Sequence, residues 1–160
     1  MSVFLYVATL VTALGCGLVA GIFFAFSTFA MAGLRRIPPA QGIAAMQSIN
    51  RQAVTPPLMT VLFGTAAACL GLLVWALISW GGRPAAMAFV GGALYIVGTI
   101  GVTIVCNVPL NNMLARLHPQ SAKAEDRWEE YVTRWIAWNH VRTITALAAA
   151  AALTVALHAG

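Results

Sequence analysis

The sequence predicts an all-α integral membrane protein: a bundle of four transmembrane helices, with a short amphipathic helix in its first cytoplasmic loop. Three observations carry this. Hydrophobic residues make up 61% of the chain and charged ones only 8%, where a soluble domain carries about 25% charged residues. The charges leave four long gaps, at 1–34, 52–82, 84–115 and 143–160. The first three gaps exceed the roughly 20 residues that a spanning helix needs, and the uncharged residues just before Arg142 complete the fourth. At 160 residues the expectation is one membrane domain, 1–160, with helices at about 3–32, 57–80, 85–114 and 119–157.

The basic residues fall in loops and set the topology. Arg35, Arg36 and Arg51 lie in loop one; Arg116, Lys123 and Arg127 lie in loop three, with Arg134 at its edge; the opposite side has only Arg83. By the positive-inside rule, loops one and three are cytoplasmic and both termini lie outside a bacterial-type inner (plasma) membrane. The net charge of +5 therefore reads as topology and lipid-headgroup contact, and nucleic acid is not expected as a partner. Cys16, Cys69 and Cys106 lie in three different hydrophobic runs without a C-x-x-C pair. They read as small buried hydrophobes, not as a disulfide-exchange centre.

The first helix carries Gly17-Leu-Val-Ala-Gly21, a small-xxx-small pattern suited to close helix approach. Four Phe follow between Ile22 and Phe29, too many for one face. Loop one is bracketed by Pro38-Pro39 and Pro56-Pro57. Between them, Ile43, Met46, Ile49 and Ala53 recur at roughly helical spacing opposite Gln47, Asn50 and Arg51. This predicts an interfacial helix over 41–54, read either as a lid or as a plain surface helix. The second helix is nearly featureless, with Trp75 and Trp80 toward its outer end as an aromatic belt. Gly81-Gly82-Arg83-Pro84 is a tight turn, so the second and third helices are antiparallel neighbours.

The third helix has Gly91, Gly92, Gly98 and Gly101 for close packing. Its second half turns polar on one face: Thr99, Thr103, Asn107 and Asn111 recur every four residues. Pro109 removes one backbone donor and frees the carbonyl of Val105. The fourth helix is expected to start near His118-Pro119 and to carry Glu125, Asp126, Glu129 and Glu130 before it enters the membrane.

One stretch concentrates the chemistry. Tyr131, Trp135, Trp138, Asn139 and Arg142 share one helical face. The third and fourth helices are joined by a loop, so Asn107 and Asn111 lie at the depth of Asn139 and Arg142, with Phe26 and Ser27 of the first helix on the same side. Arg142 has no acidic residue in any hydrophobic run to pair with. At the centre of a span it would cost roughly 2.5–3.5 kcal/mol. It is expected to turn inward onto Asn107, Asn111, Asn139, the freed carbonyl or an anionic ligand; the alternative is snorkelling to the interface. His140 is read as a hydrogen-bonded structural residue or as a general base. No H-x-x-x-H pair or thiolate cluster points to a metal.

Asn107-x-Pro-Leu-Asn111, then Trp128 and Trp135-x-x-Trp138-Asn139-x-x-Arg142, in a four-helix chain of this length, resembles the anthrone oxygenase-like family of small membrane proteins. The Gly- and Phe-rich first helix and Met46-Gln47-x-x-Asn50 before paired Pro are similar as well. The resemblance covers essentially the whole chain. It implies oxidation of an apolar anthrone- or phenol-like substrate by O2 without an evident cofactor. Under that implication His140, Arg142 and Asn107 are the candidate catalytic residues. Asn111, Trp135, Trp138, Asn139 and Phe26 are the candidate substrate contacts. Two other functions stay open: a non-catalytic binding or structural protein whose Asn–Arg network locks the bundle, and a small-molecule carrier. The last is disfavoured by the lack of an internal repeat. Expected partners are the lipid bilayer and an apolar small molecule, with a homo-oligomer as an option.

Overall fold

The computed structural model describes residues 2–79 and 81–159; the expectation for Trp80 falls outside them. Among these residues there is no strand. The helices are α1 (Val3–Leu34), α2 (Pro39–Ala53), α3 (Pro56–Ile78), α4 (Arg83–Ala115) and α5 (Ala124–His158). Helices α1, α3, α4 and α5 are each long and apolar enough to cross a membrane, with mean hydropathies from 1.5 to 2.3. The chain is a multi-pass membrane protein.

Proline sets several helix starts. Pro39 and Pro56 each open a helix, and Pro84 lies in the first turn of α4. The missing N–H costs nothing there, because first-turn donors have no partner within the helix. The amphipathic helix therefore begins at Pro39, slightly earlier than its apolar spacing predicts. The fourth span starts later than expected, at Ala124 and not near Pro119. Its approach is made of tight turns instead: Ser121 N donates to His118 O at 3.0 Å, and Ala124 N to Ser121 O at 2.9 Å. Before α5 leaves the loop end, Arg127 and Arg134 flank Glu130 at 2.8 and 3.1 Å. Hydrogen bonds from Arg127 and then Arg134 hold the Glu130 carboxyl below its usual range. These exposed pairs persist at neutral pH and are released only on acidification.

Two spans are not regular α-helix. α1 widens into π-helical turns over Phe26–Ala30, and α4 does so over Leu94–Gly101 and Thr103–Asn107. An i→i+5 turn takes more residues than the 3.6 of an α-helix. A four-residue repeat drifts around an α-helix, but in this mixed geometry it runs along one line. Thr99, Thr103 and Asn107 thus stay aimed at α5 over two turns. The helices touch closely: a Cβ built at Gly98 would lie 2.4 Å from Thr145 Cγ2, and Thr99 and Thr145 share a hydroxyl–hydroxyl bond of 3.1 Å.

The core is in two parts. One cluster joins α1, α3, α4 and α5 toward the termini and includes Val19, Phe23, Cys69, Tyr95 and Leu153. The other sits at the loop end, where α2 buries Ile43 and Met46 against Leu114, Trp128 and Tyr131. Gly42 is required at that junction, since a Cβ there would meet the Trp128 ring at 2.9 Å and Leu34 O at 3.0 Å. Gln47 Nε2 of α2 donates to Leu114 O at 2.8 Å and Leu117 O at 2.9 Å, capping carbonyls at and just beyond the end of α4, where helical donors run out.

Gly92 gives a direct test of helix contact. A Cβ there would stand 2.9 Å from the Cys69 carbonyl oxygen and 3.2 Å from Leu73 Cβ, whereas Gly71 faces open space. Gly92→Ala is expected to destabilise the detergent-solubilised protein by about 1–3 kcal/mol, read as a lower thermal midpoint. Gly71→Ala should leave the midpoint unchanged or slightly higher.

Candidate functional site

A polar layer separates the two core clusters. Along α5 the buried seam passes Trp135, Asn139, Arg142 and Thr143 before returning to Ala146. Thr103 and Asn107 meet this layer from α4, and Phe23 and Ser27 from α1. An Asn–Arg layer in a membrane bundle must satisfy its own polar groups, because no water in the bilayer core will do so.

Arg142 is 5% exposed, inward-facing and hydrogen-bonded. Its Nη2 donates to Asn139 Oδ1, and its Nη1 to Thr103 Oγ1 at 3.3 Å. The guanidinium lies 4.2 Å from the Phe23 ring centre and 5.2 Å from that of Trp135. Desolvated cation–π contacts of this kind contribute up to about 2 kcal/mol. Asn139 is the hub: its Nδ2 donates to Phe23 O at 2.7 Å and Ser27 Oγ at 2.6 Å. It therefore ties α1 to α5 while holding Arg142.

The two asparagines of α4 do not meet Arg142 as expected. Asn107, 1% exposed, turns its Nδ2 to Trp135 O at 3.3 Å. Asn111 Oδ1 accepts from both Tyr131 Oη at 3.0 Å and Trp135 Nε1 at 2.9 Å. Asn111 is thus a clamp on the aromatic wall. Trp135 is held by that clamp, with Phe26 tilted against it at 6.0 Å. Trp128 stacks on Tyr131 at 5.7 Å and continues the wall toward α2.

Two candidates fall outside this arrangement. The seam steps by four residues from Trp135 to Asn139 and by three to Arg142, so Asn139, not Trp138, takes the inner place at that turn. Trp138 is 39% exposed. His140, one residue further round, is exposed. The structure does not bring His140 to Asn107 or Arg142. Phe23 was not singled out in the sequence: four Phe competed for the inner face, and Phe23 takes it by continuing the α-helical spacing of buried Cys16, Val19 and Ala20, ahead of the π turn. Thr103 was visible as a member of the four-residue ladder.

Among the described residues, three buried side-chain polar atoms lack a partner: Asn107 Oδ1, Arg142 Nε and Ser121 Oγ. Two of the three belong to this layer. Thr103 accepts from Arg142, and Asn107 lies one turn further along the same face of α4. Unpartnered buried atoms cost roughly 1–3 kcal/mol each, and in native structures they call for a ligand, a water or a mechanism. No group of three or more His, Cys, Asp or Glu assembles among the described residues.

Fold and site together define a four-span membrane protein with a cationic, aromatic-walled polar layer buried between its helices. The chain belongs to the anthrone oxygenase family, which matches residues 57–152 and so takes in Asn107, Asn111, Trp135, Asn139 and Arg142. No curated protein and no solved structure matches it.

Proposed function

We infer that this chain is an oxygenase-like membrane enzyme for an apolar aromatic compound bearing an enolisable or phenolic oxygen, as an anthrone does. The observation that carries the reading is the pair of unpartnered atoms in the polar layer. Arg142 Nε offers a proton and Asn107 Oδ1 accepts one. A hydroxyl within reach of both would satisfy the two at once, whereas a carbonyl or a carboxylate would satisfy only the arginine. The aromatic faces of Phe23, Trp135 and Phe26 supply the apolar walls that a flat substrate requires.

In this reading Arg142 stabilises the substrate's enolate as it forms, in a site where water does not screen the charge. The enolate carbon reacts with O2, the proton shed on enolisation returns to the resulting peroxide, and the ring CH2 becomes C=O with release of one water. Substrate and O2 are the only reactants required. We take the Phe26–Trp135 contact, beside the widened turn of α1, as the point of entry. We place loops one and three in the cytoplasm of a bacterial-type plasma membrane, as their basic residues imply. A second reading rests on Asn139, whose bonds to α1 and Arg142 would lock the bundle without catalysis.

The test is ligand binding in reconstituted vesicles under anaerobic conditions, read by tryptophan fluorescence. A dihydroxyanthrone should quench saturably, and anthracene, which lacks the oxygen, should bind at least tenfold more weakly. Equal binding of the two would remove the basis of the hydroxyl assignment.

A further inference from the structure

Arg83 opens α4 and His158 closes α5, so both stand at the membrane boundary on the side of the termini. They line one cavity of about 350 Å³. A second cavity, of about 300 Å³, adjoins it across Thr154 and His158, which line both, and runs between α5 and α1. Its walls include Leu157 of α5 and Tyr6, Leu10 and Leu14 of α1. Leu10 and Leu14 lie about one and two turns deeper in α1 than Tyr6. The order from the surface inward is thus charge, phenol and aliphatic groove. A phospholipid in one leaflet presents the matching order of headgroup, interface and acyl chain.

The two ends of the bundle differ in charge. Glu125, Asp126, Glu129 and Glu130 are the four acidic side chains of the sequence, and all lie in the first turns of α5, at the loop end. There they meet basic partners: Arg35 pairs with Glu129, and Arg127 and Arg134 pair with Glu130. Arg83 makes no ion pair among the described residues, and no acidic side chain shares its end of the bundle. At the head of α4 it also stands where the helix dipole adds positive charge. His158 Nδ1 donates to Thr154 O at 2.9 Å, which leaves Nε2 for an outside group. An anionic phosphodiester complements this edge. A zwitterionic headgroup suits it less, because its ammonium meets no side-chain carboxylate here.

We propose that this end of the bundle binds one phosphatidylglycerol-type lipid. Its phosphate sits on Arg83, its glycerol hydroxyls reach His158 Nε2, and one acyl chain lies against Leu10, Leu14 and Leu157. The site uses neither Arg142 nor the aromatic wall, so it stands apart from the oxygenase reading.

The experiment uses the full chain in detergent, with bound lipid counted by native mass spectrometry. Phosphatidylglycerol and phosphatidylcholine with the same acyl chains are the probes. One basic residue near the surface favours an anionic lipid by a factor of about five, so phosphatidylglycerol should bind about fivefold more tightly, at one site per chain. Arg83→Gln should abolish that preference, and Arg83→Lys should keep it. Arg36→Gln and Arg116→Gln, at the loop end, should leave it intact. Equal binding of the two lipids, or a preference that survives Arg83→Gln, would overturn the proposal. So would displacement of the lipid by an equal concentration of glycerophosphoglycerol, because a headgroup without chains would then bind as well as the lipid and the groove would have no part in it.

Discussion

Replacing Arg142 with leucine is expected to lower the rate of O2-dependent substrate oxidation by at least about 100-fold, the scale seen when a main stabiliser of a developing oxyanion is removed. The fold should survive. Losing the guanidinium leaves Asn139 Oδ1 without its donor, which costs roughly 1–3 kcal/mol. It also removes a charge whose insertion costs roughly 2.5–3.5 kcal/mol at the centre of a span. These terms oppose one another, so the thermal midpoint should move little while activity collapses. Arg142→Lys should not restore the rate: a single ammonium cannot hold the Thr103 and Asn139 contacts and keep a further N–H aimed at the ligand. Oxygen uptake in vesicles, set beside thermal unfolding in detergent, reads both effects.

Asn139→Leu should do the reverse and produce the larger loss of stability. One carboxamide bonds to Phe23 O, Ser27 Oγ and the Arg142 guanidinium. Leucine strands the Arg142 Nη2 donor in a layer without water, and truncating one partner of a buried charge typically costs about 3–5 kcal/mol. For a chain of this size that corresponds to a midpoint lower by roughly 10 °C. An unchanged midpoint would mean that α1 and α5 are held by apolar packing alone.

The spans were legible because charge is so sparse. Four gaps without charged residues mark four helices, and the turn at Gly81-Gly82 is plain from its composition. The helix starts were less so: Pro39 and Pro56 open their helices instead of standing before them, and Pro119 stands well short of α5. The depth of the polar zone followed from connectivity, because a loop joins Asn107 and Asn111 to Asn139 and Arg142. The inward turn of Arg142 followed from the absence of any acidic residue in the spans. Its partners did not follow. Ideal α geometry does not foresee π turns, and those of α4 aim Thr103 at Arg142. The same limit applies to Trp138: a face about 100° wide admits both Trp138 and Asn139, and packing against α1 decides for the asparagine. The Cys16–Cys69 contact, with sulfurs 3.8 Å apart, is a tertiary event between residues far apart in sequence, and no local pattern marks it.

If Asn107 and Arg142 hold the substrate hydroxyl, the unpartnered oxygen of Asn107 is kept for a ligand and not for the fold. The most direct measurement is O2-dependent conversion of a dihydroxyanthrone by the wild type and Asn107→Leu in vesicles, corrected for oxidation in protein-free vesicles. Asn107 makes only one long hydrogen bond, to Trp135 O at 3.3 Å, so leucine should leave the thermal midpoint within about 1 kcal/mol equivalent. The wild type should outpace protein-free vesicles, and Asn107→Leu, equally stable, should be at least about tenfold slower. A variant as fast as the wild type, or a wild type no faster than vesicles alone, would contradict this assignment.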